Sequence, residues 1–193
     1  MKSRLAAVLS AVLGLSVFAG AQRLSLSLAA GNFSASEDAY RQIYGSGVPY
    51  AADIWLRAIG PFGLAVGYSQ IRDKGNAVPL GEDGPEYLVK FSRSSIPVVV
   101  FYQIDLKAVA VRFGAGLGFH HYEETWETVD LGFEGNKASP RFVIAASVAL
   151  LSRLSLFGSA TFDTIPTGAG SPLARDVNLG GLQILGGVVF RIF

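Results

Sequence analysis

His120 and His121 are the two histidines of this chain. They stand next to Tyr122, Glu123 and Glu124, where an imidazole could act as acid, base or metal ligand. Adjacent residues of an extended strand point to opposite faces, however, so the two rings are not expected to share a site. We read them as interface or loop residues. Gly114-x-Gly116-x-Gly118 resembles a phosphate-binding loop, but no helix follows it as a dinucleotide fingerprint requires, and its period of two is that of strand packing. The stretch Tyr122–Ala138 carries Glu123, Glu124, Glu127, Asp130 and Glu134 with Trp126 and Phe133 among them. Oxygen ligands at that density could hold Ca²⁺ or Mg²⁺, yet the spacing of a defined calcium loop is missing, and a solvated acidic surface is the expectation. With no cysteine in 193 residues, thiol nucleophiles, thiolate metal sites and disulfides are excluded. Sixteen Lys and Arg against fifteen Asp and Glu argue against a nucleic-acid binder, and no cofactor is expected.

The elements that must position these residues show in the apolar periodicity. Lys2, Arg4, a largely apolar run from Leu5 to Phe18 and the small residues Ala19-Gly20-Ala21 read as a signal peptide over residues 1–21, cleaved after Ala21. Half of the chain is apolar, yet after Gln22 no run is long enough for a membrane-crossing helix. The hydrophobicity falls instead in period-two stripes. Leu24, Leu26 and Leu28, Phe62, Leu64, Val66 and Tyr68, and Val109 to Phe119 by twos all alternate with small or polar residues. This is the signature of strands with two unlike faces.

Eight such strands are predicted, near residues 23–33, 48–59, 62–73, 87–104, 107–121, 139–151, 154–164 and 177–193. Pro97 suggests a bulge within the fourth. Tight links at Gly60-Pro61, Ile104–Leu106 and Leu151–Arg153 alternate with long ones at Ser34–Gly47, Lys74–Glu86, Tyr122–Ala138 and Ile165–Asp176. The predicted fold over residues 22–193 is therefore all-β: an eight-stranded antiparallel up-and-down transmembrane β-barrel with short periplasmic turns and long extracellular loops. Bulky side chains should meet lipid, and Gly, Ala and Ser should fill the bore. Phe62, Tyr102 and Phe190 at the turn side and Tyr68, Phe119, Phe142 and Phe162 at the loop side should form the two interfacial girdles.

Charge follows the same division. Counting Asp73 with its loop and Lys107 with its turn, the long loops hold twelve acidic and four basic residues, whereas the strands hold eight basic residues against Asp53 and Asp163. A cation facing lipid is costly, so Arg57, Arg112 and Arg141 should face the lumen, where each needs a partner. Two pairs are predicted: Arg141 with Asp163 across the 152–153 turn, and Asp53 with Arg112 across the bore. Arg57 is expected to bond Gln183 or a backbone carbonyl, and Trp55 to stack in the lumen near Arg57 and Asp53. A structural polar plug is the favoured role of this network.

Together these features resemble the small outer-membrane β-barrel family of the OmpA/OmpX type. The resemblance implies export to the bacterial outer membrane, contact with its lipids and lipopolysaccharide, a monomeric state, and recognition of the C-terminal strand by the barrel-assembly machinery through Phe193. Arg191 departs from that pattern, which usually has an apolar residue two before the end. With no peptidoglycan-binding segment after it, the barrel is expected to be the whole mature chain. Lipid A deacylases and acyltransferases built on such barrels use His with Ser at the rim, but no His-x-Ser spacing occurs near His120 or His121, so no enzymatic activity is expected. The expected function is non-enzymatic: envelope integrity, or surface contact through acidic external loops. The alternative is a narrow porin-like channel for ions or small apolar solutes.

Overall fold

A computed structural model describes residues 23–77, 87–127, 131–166 and 178–192. The signal peptide, Phe193, and most of the second and fourth long links lie outside the described residues. The chain runs β1 (Arg23–Ala35), α1 (Asp38–Tyr44), β2 (Tyr50–Ile59), β3 (Phe62–Ala77), β4 (Tyr87–Leu106), β5 (Val109–Trp126), β6 (Leu131–Ala149), β7 (Leu154–Asp163) and β8 (Gly181–Arg191). Each strand pairs antiparallel with the next, and β8 pairs back onto β1 from Ser25↔Arg191 to Ala35↔Gly181, closing an eight-stranded barrel. Closure leaves no sheet edge unpaired, as a strand-built membrane span requires.

The period-two pattern sets the faces. Leu28, Phe62, Val100, Leu117, Ile144, Leu156 and Ile184 are among the large apolar side chains exposed on the outer wall, and every strand contributes at least one. All seven predicted girdle aromatics lie on this outer face, and Phe62 meets Tyr102 edge-on at 5.2 Å. An apolar coat that circles the whole molecule is the surface of a body immersed in hydrocarbon. Val100 is 59% exposed between Tyr102 and the loop-side girdle. Val100→Arg should cost ~2–4 kcal/mol for a cation near mid-depth, read as a lowered urea midpoint for folding into phospholipid vesicles.

Several boundaries differ from expectation. The β4–β5 turn is Lys107–Ala108, with Lys107 at φ 51°, and Ile104–Leu106 belongs to β4. The Tyr122–Ala138 link is mostly strand: β5 and β6 remain paired from Tyr122↔Gly135 to Trp126↔Leu131. The expected loop is thus a hairpin rising above the girdle. Pro97 causes no bulge. It pairs with Gly118 of β5, while the β3 ladder skips Gly67 and Tyr68 and resumes in the same register; a missing N–H removes a bond without inserting a residue. The register does shift between Arg57 and Ile59, beside the Gly60-Pro61 turn. Helix α1 lies in the first long link, where the strand periodicity gave no sign of it.

Candidate functional site in the barrel lumen

The lumen is filled in layers. At the turn rim, residues of every strand but β3, with Lys107 and Ala108 of the β4–β5 turn, surround a chamber of about 190 Å³. Asp105 there accepts from Arg57 at 2.5 Å and lies 3.9 Å from Arg23. Gln103 donates to Asp105 at 2.5 Å, and its carbonyl accepts from Arg112 Nε at 2.9 Å. The floor of the chamber is aromatic. Trp55 contacts Phe101 and Phe157, with ring centroids 5.3 and 6.0 Å away, and with Ala65, Val99, Ala145 and Val189 these rings form a buried apolar belt across the bore.

Beyond the belt the lumen is polar again. Arg141 and Asp163 are register partners on β6 and β7. The guanidinium donates twice, Nε to Oδ1 at 2.7 Å and Nη2 to Oδ2 at 2.8 Å, in the planar fork geometry that suits a carboxylate. Both residues are buried. Asp53 accepts from Ser27 Oγ at 3.3 Å, and a residual cavity of about 30 Å³ separates it from Arg141 and Gln183. Gly67 stands opposite Asp53, and a Cβ there would overlap the carboxylate, so the glycine makes room for the charge. One step further out His120 is clamped between two hydroxyls, Nδ1 to Ser95 Oγ at 2.7 Å and Nε2 to Ser139 Oγ at 2.8 Å. Arg93, 1% exposed, donates to the Leu179 carbonyl and lies 4.6 Å from the Phe33 ring centroid.

The outer mouth is closed by α1. Tyr40 and Tyr44 pack with Phe91, Phe33, Ile71, Ile165 and Leu179 into a second apolar cluster, and Tyr40 donates to Asp73 at 2.6 Å. Burial, followed by the neighbouring Asp73 charge, raises the Tyr40 phenol above its ordinary value, keeping it a donor.

All five predicted lumen residues point inward, but they do not form one network. Asp53 and Arg112 do not meet. Trp55 lies between them, its indole donating to Ser27 at 3.0 Å while Arg112 sits 5.0 Å over the ring. A large aromatic two residues from Asp53 on the same face occupies the path across the bore. Arg57 bonds the Gly60 carbonyl at 2.5 Å and Asp105 rather than Gln183. His120 is a buried lumen residue, not an interface or loop one, whereas His121 is exposed. The bore is also not filled by small residues alone, since Trp55, Phe101 and Phe157 occupy its centre. Arg191 faces the lumen and lines the chamber, so the departure near the C terminus is an inward charge beside outward Phe190. The sequence reading passed over Gln103, Asp105, Arg93 and the two serines. Their inward parity was readable, but the Ser95–His120 and Gln103–Arg112 contacts depend on the position of the β4–β5 turn, the Ser139 contact on the β5–β6 register, and that of Arg93 on what lies across the bore.

No family model matches the sequence, and no curated protein matches it significantly. Solved structures do resemble its fold. Neisserial surface protein A (NspA) aligns with 18% identity over 89% of this chain and 99% of that chain, with a TM-score of 0.58. The outer membrane protein OprG from Pseudomonas aeruginosa aligns with 8% identity over 89% and 96%, with a TM-score of 0.68. Ail, the attachment invasion locus protein of Yersinia pestis, in complex with the heparin analogue sucrose octasulfate, aligns with 12% identity over 87% and 97%, with a TM-score of 0.52. The chain therefore has the fold of the small eight-stranded outer-membrane β-barrels, over nearly the whole length of each.

Proposed function

We propose that this chain is a non-enzymatic, monomeric outer-membrane protein that contributes envelope integrity or surface contact while its lumen stays shut. One observation carries the reading: the bore is interrupted twice among the described residues, by the Trp55–Phe101–Phe157 belt and by the α1 cluster at the outer mouth. Between these seals Arg141 is held by Asp163, and His120 by Ser95 and Ser139, which favours a structural plug over a relay. The circumferential apolar coat and the likeness to outer-membrane barrels support the location and the contact with lipid and lipopolysaccharide. Insertion by the barrel-assembly machinery through β8 and Phe193 belongs to the same proposal.

Surface contact would fall to the raised β5–β6 hairpin. Glu123 and Glu134 oppose each other there on neighbouring strands, both exposed. Like charges directly across a ladder repel, so a cationic or cation-bridged partner would relieve the pair. Planar-bilayer recordings of the refolded protein test the closed state. No stable openings are expected, and reproducible unitary conductance would overturn the reading in favour of a channel.

A further inference from the structure

The turn-rim chamber carries more cations than its own carboxylate can satisfy. Arg23, Arg57, Lys107, Arg112 and Arg191 all line it, against Asp105. Asp105 is engaged by Arg57 and Arg23, and Lys107, Arg112 and Arg191 have no carboxylate partner among the described residues. Arg112 is the telling member. It is 6% exposed, its Nε is used on Gln103, and its buried Nη1 has no hydrogen-bond partner. A guanidinium taken out of water with an unpaired donor is expensive to hold; a bound anion would offset its charge, and a turn of the guanidinium toward the chamber would bring that donor to it.

From this geometry we infer that the chamber is a periplasm-facing binding site for a small soluble oxyanion of the phosphate class, held by Arg112 from the floor and by Arg191 and Lys107 from the mouth. The shape agrees with the charge. About 190 Å³ is room for several water molecules, enough for one tetrahedral oxyanion with part of its hydration. Trp55 and Phe101 close the inner end, so the ligand enters and leaves by the same mouth. The cations stand on lumen-facing positions, whereas Phe62, Tyr102 and Phe190 form the outer ring at this level. The site thus faces the aqueous compartment and not the lipid leaflet. Guanidinium donors pair bidentately with tetrahedral oxyanions, which favours phosphate over chloride.

The test uses the refolded protein in maltoside micelles, free of phosphate headgroups, titrated with inorganic phosphate by calorimetry and by ³¹P line broadening. One saturable site is expected, weakened at least ~10-fold by Arg112→Gln, the loss of one charge-assisted hydrogen bond, and weakened also by Arg191→Gln. Arg191 is exposed at the rim, so its variant keeps the test decisive should Arg112→Gln fail to fold. Absence of saturable binding up to about 50 mM phosphate, or binding unchanged in Arg191→Gln and in every folded Arg112→Gln preparation, would overturn the inference. So would displacement of bound phosphate by phosphatidylglycerol in bicelles, which would make the ligand a lipid headgroup.

Discussion

Asp163→Ala is expected to lower the unfolding free energy by ~3–5 kcal/mol, the cost of leaving a buried guanidinium without its carboxylate. Arg141 and Asp163 are 4% and 0% exposed, and both carboxylate oxygens are used by Arg141. Asp163 also lies within electrostatic reach of Arg93 and His120, so its loss leaves Asp53, across the residual cavity, as the remaining carboxylate facing Arg141. Replacing both partners with apolar groups of similar size, Arg141→Met with Asp163→Leu, should recover most of the loss, because a buried pair is far costlier to break than to remove. Equilibrium urea titration of folding into vesicles reads the difference. An unchanged midpoint in Asp163→Ala would show that the pair contributes nothing, and an additive double variant would show that the two residues are not coupled.

The second large effect concerns permeability. Trp55 and Phe101 make up most of the barrier between the turn-side chamber and the polar layer beyond it, and Arg112 rests on the indole. Trp55→Ala with Phe101→Ala should join that chamber to the cavity near Asp53 and remove the inner seal. Deleting two buried aromatics is expected to cost ~3–5 kcal/mol each, so the variant needs a folding check by heat-modifiable electrophoretic mobility. With the inner seal gone, the α1 cluster becomes the remaining barrier. Brief openings should therefore appear in planar bilayers, and become long-lived when Tyr40→Ala is added. Silence of the folded triple variant would place the barrier in some other part of the lumen.

Alternating side chains made the strand count, the barrel and its outward face legible in the sequence, because parity along a strand needs no knowledge of what lies across from it. Pairings were legible only where a turn was placed correctly. Arg141 and Asp163 were matched because the 152–153 link sits where the apolar pattern breaks. Putting the β4–β5 turn at Ile104–Leu106 instead of Lys107–Ala108 would set His120 opposite Lys90, when its partner is Ser95; that misplaced turn concealed the Ser95 side of the clamp, and reading Tyr122–Ala138 as a loop concealed the Ser139 side. Asp53 and Arg112 were matched by height alone, and height carries no information about a ring lying between them. The helix escaped notice for a related reason: its seven residues owe their conformation to Tyr40 and Tyr44 packing into the mouth, a tertiary effect that periodicity does not record.

Strand lengths differ around the circumference: β3 to β6 have 16 to 20 residues, whereas β1, β2, β7 and β8 have 10 to 13. The barrel therefore ends externally in a slanted parapet, tall along one half and low along the other. Among the described residues the tall half screens one side of the tyrosine-lined lid, and the low half, beside the β8–β1 seam, rises less far around it. The lid thus has a compass bearing among the described residues: a steep side along β3 to β6 and a shallow one toward β7, β8 and β1.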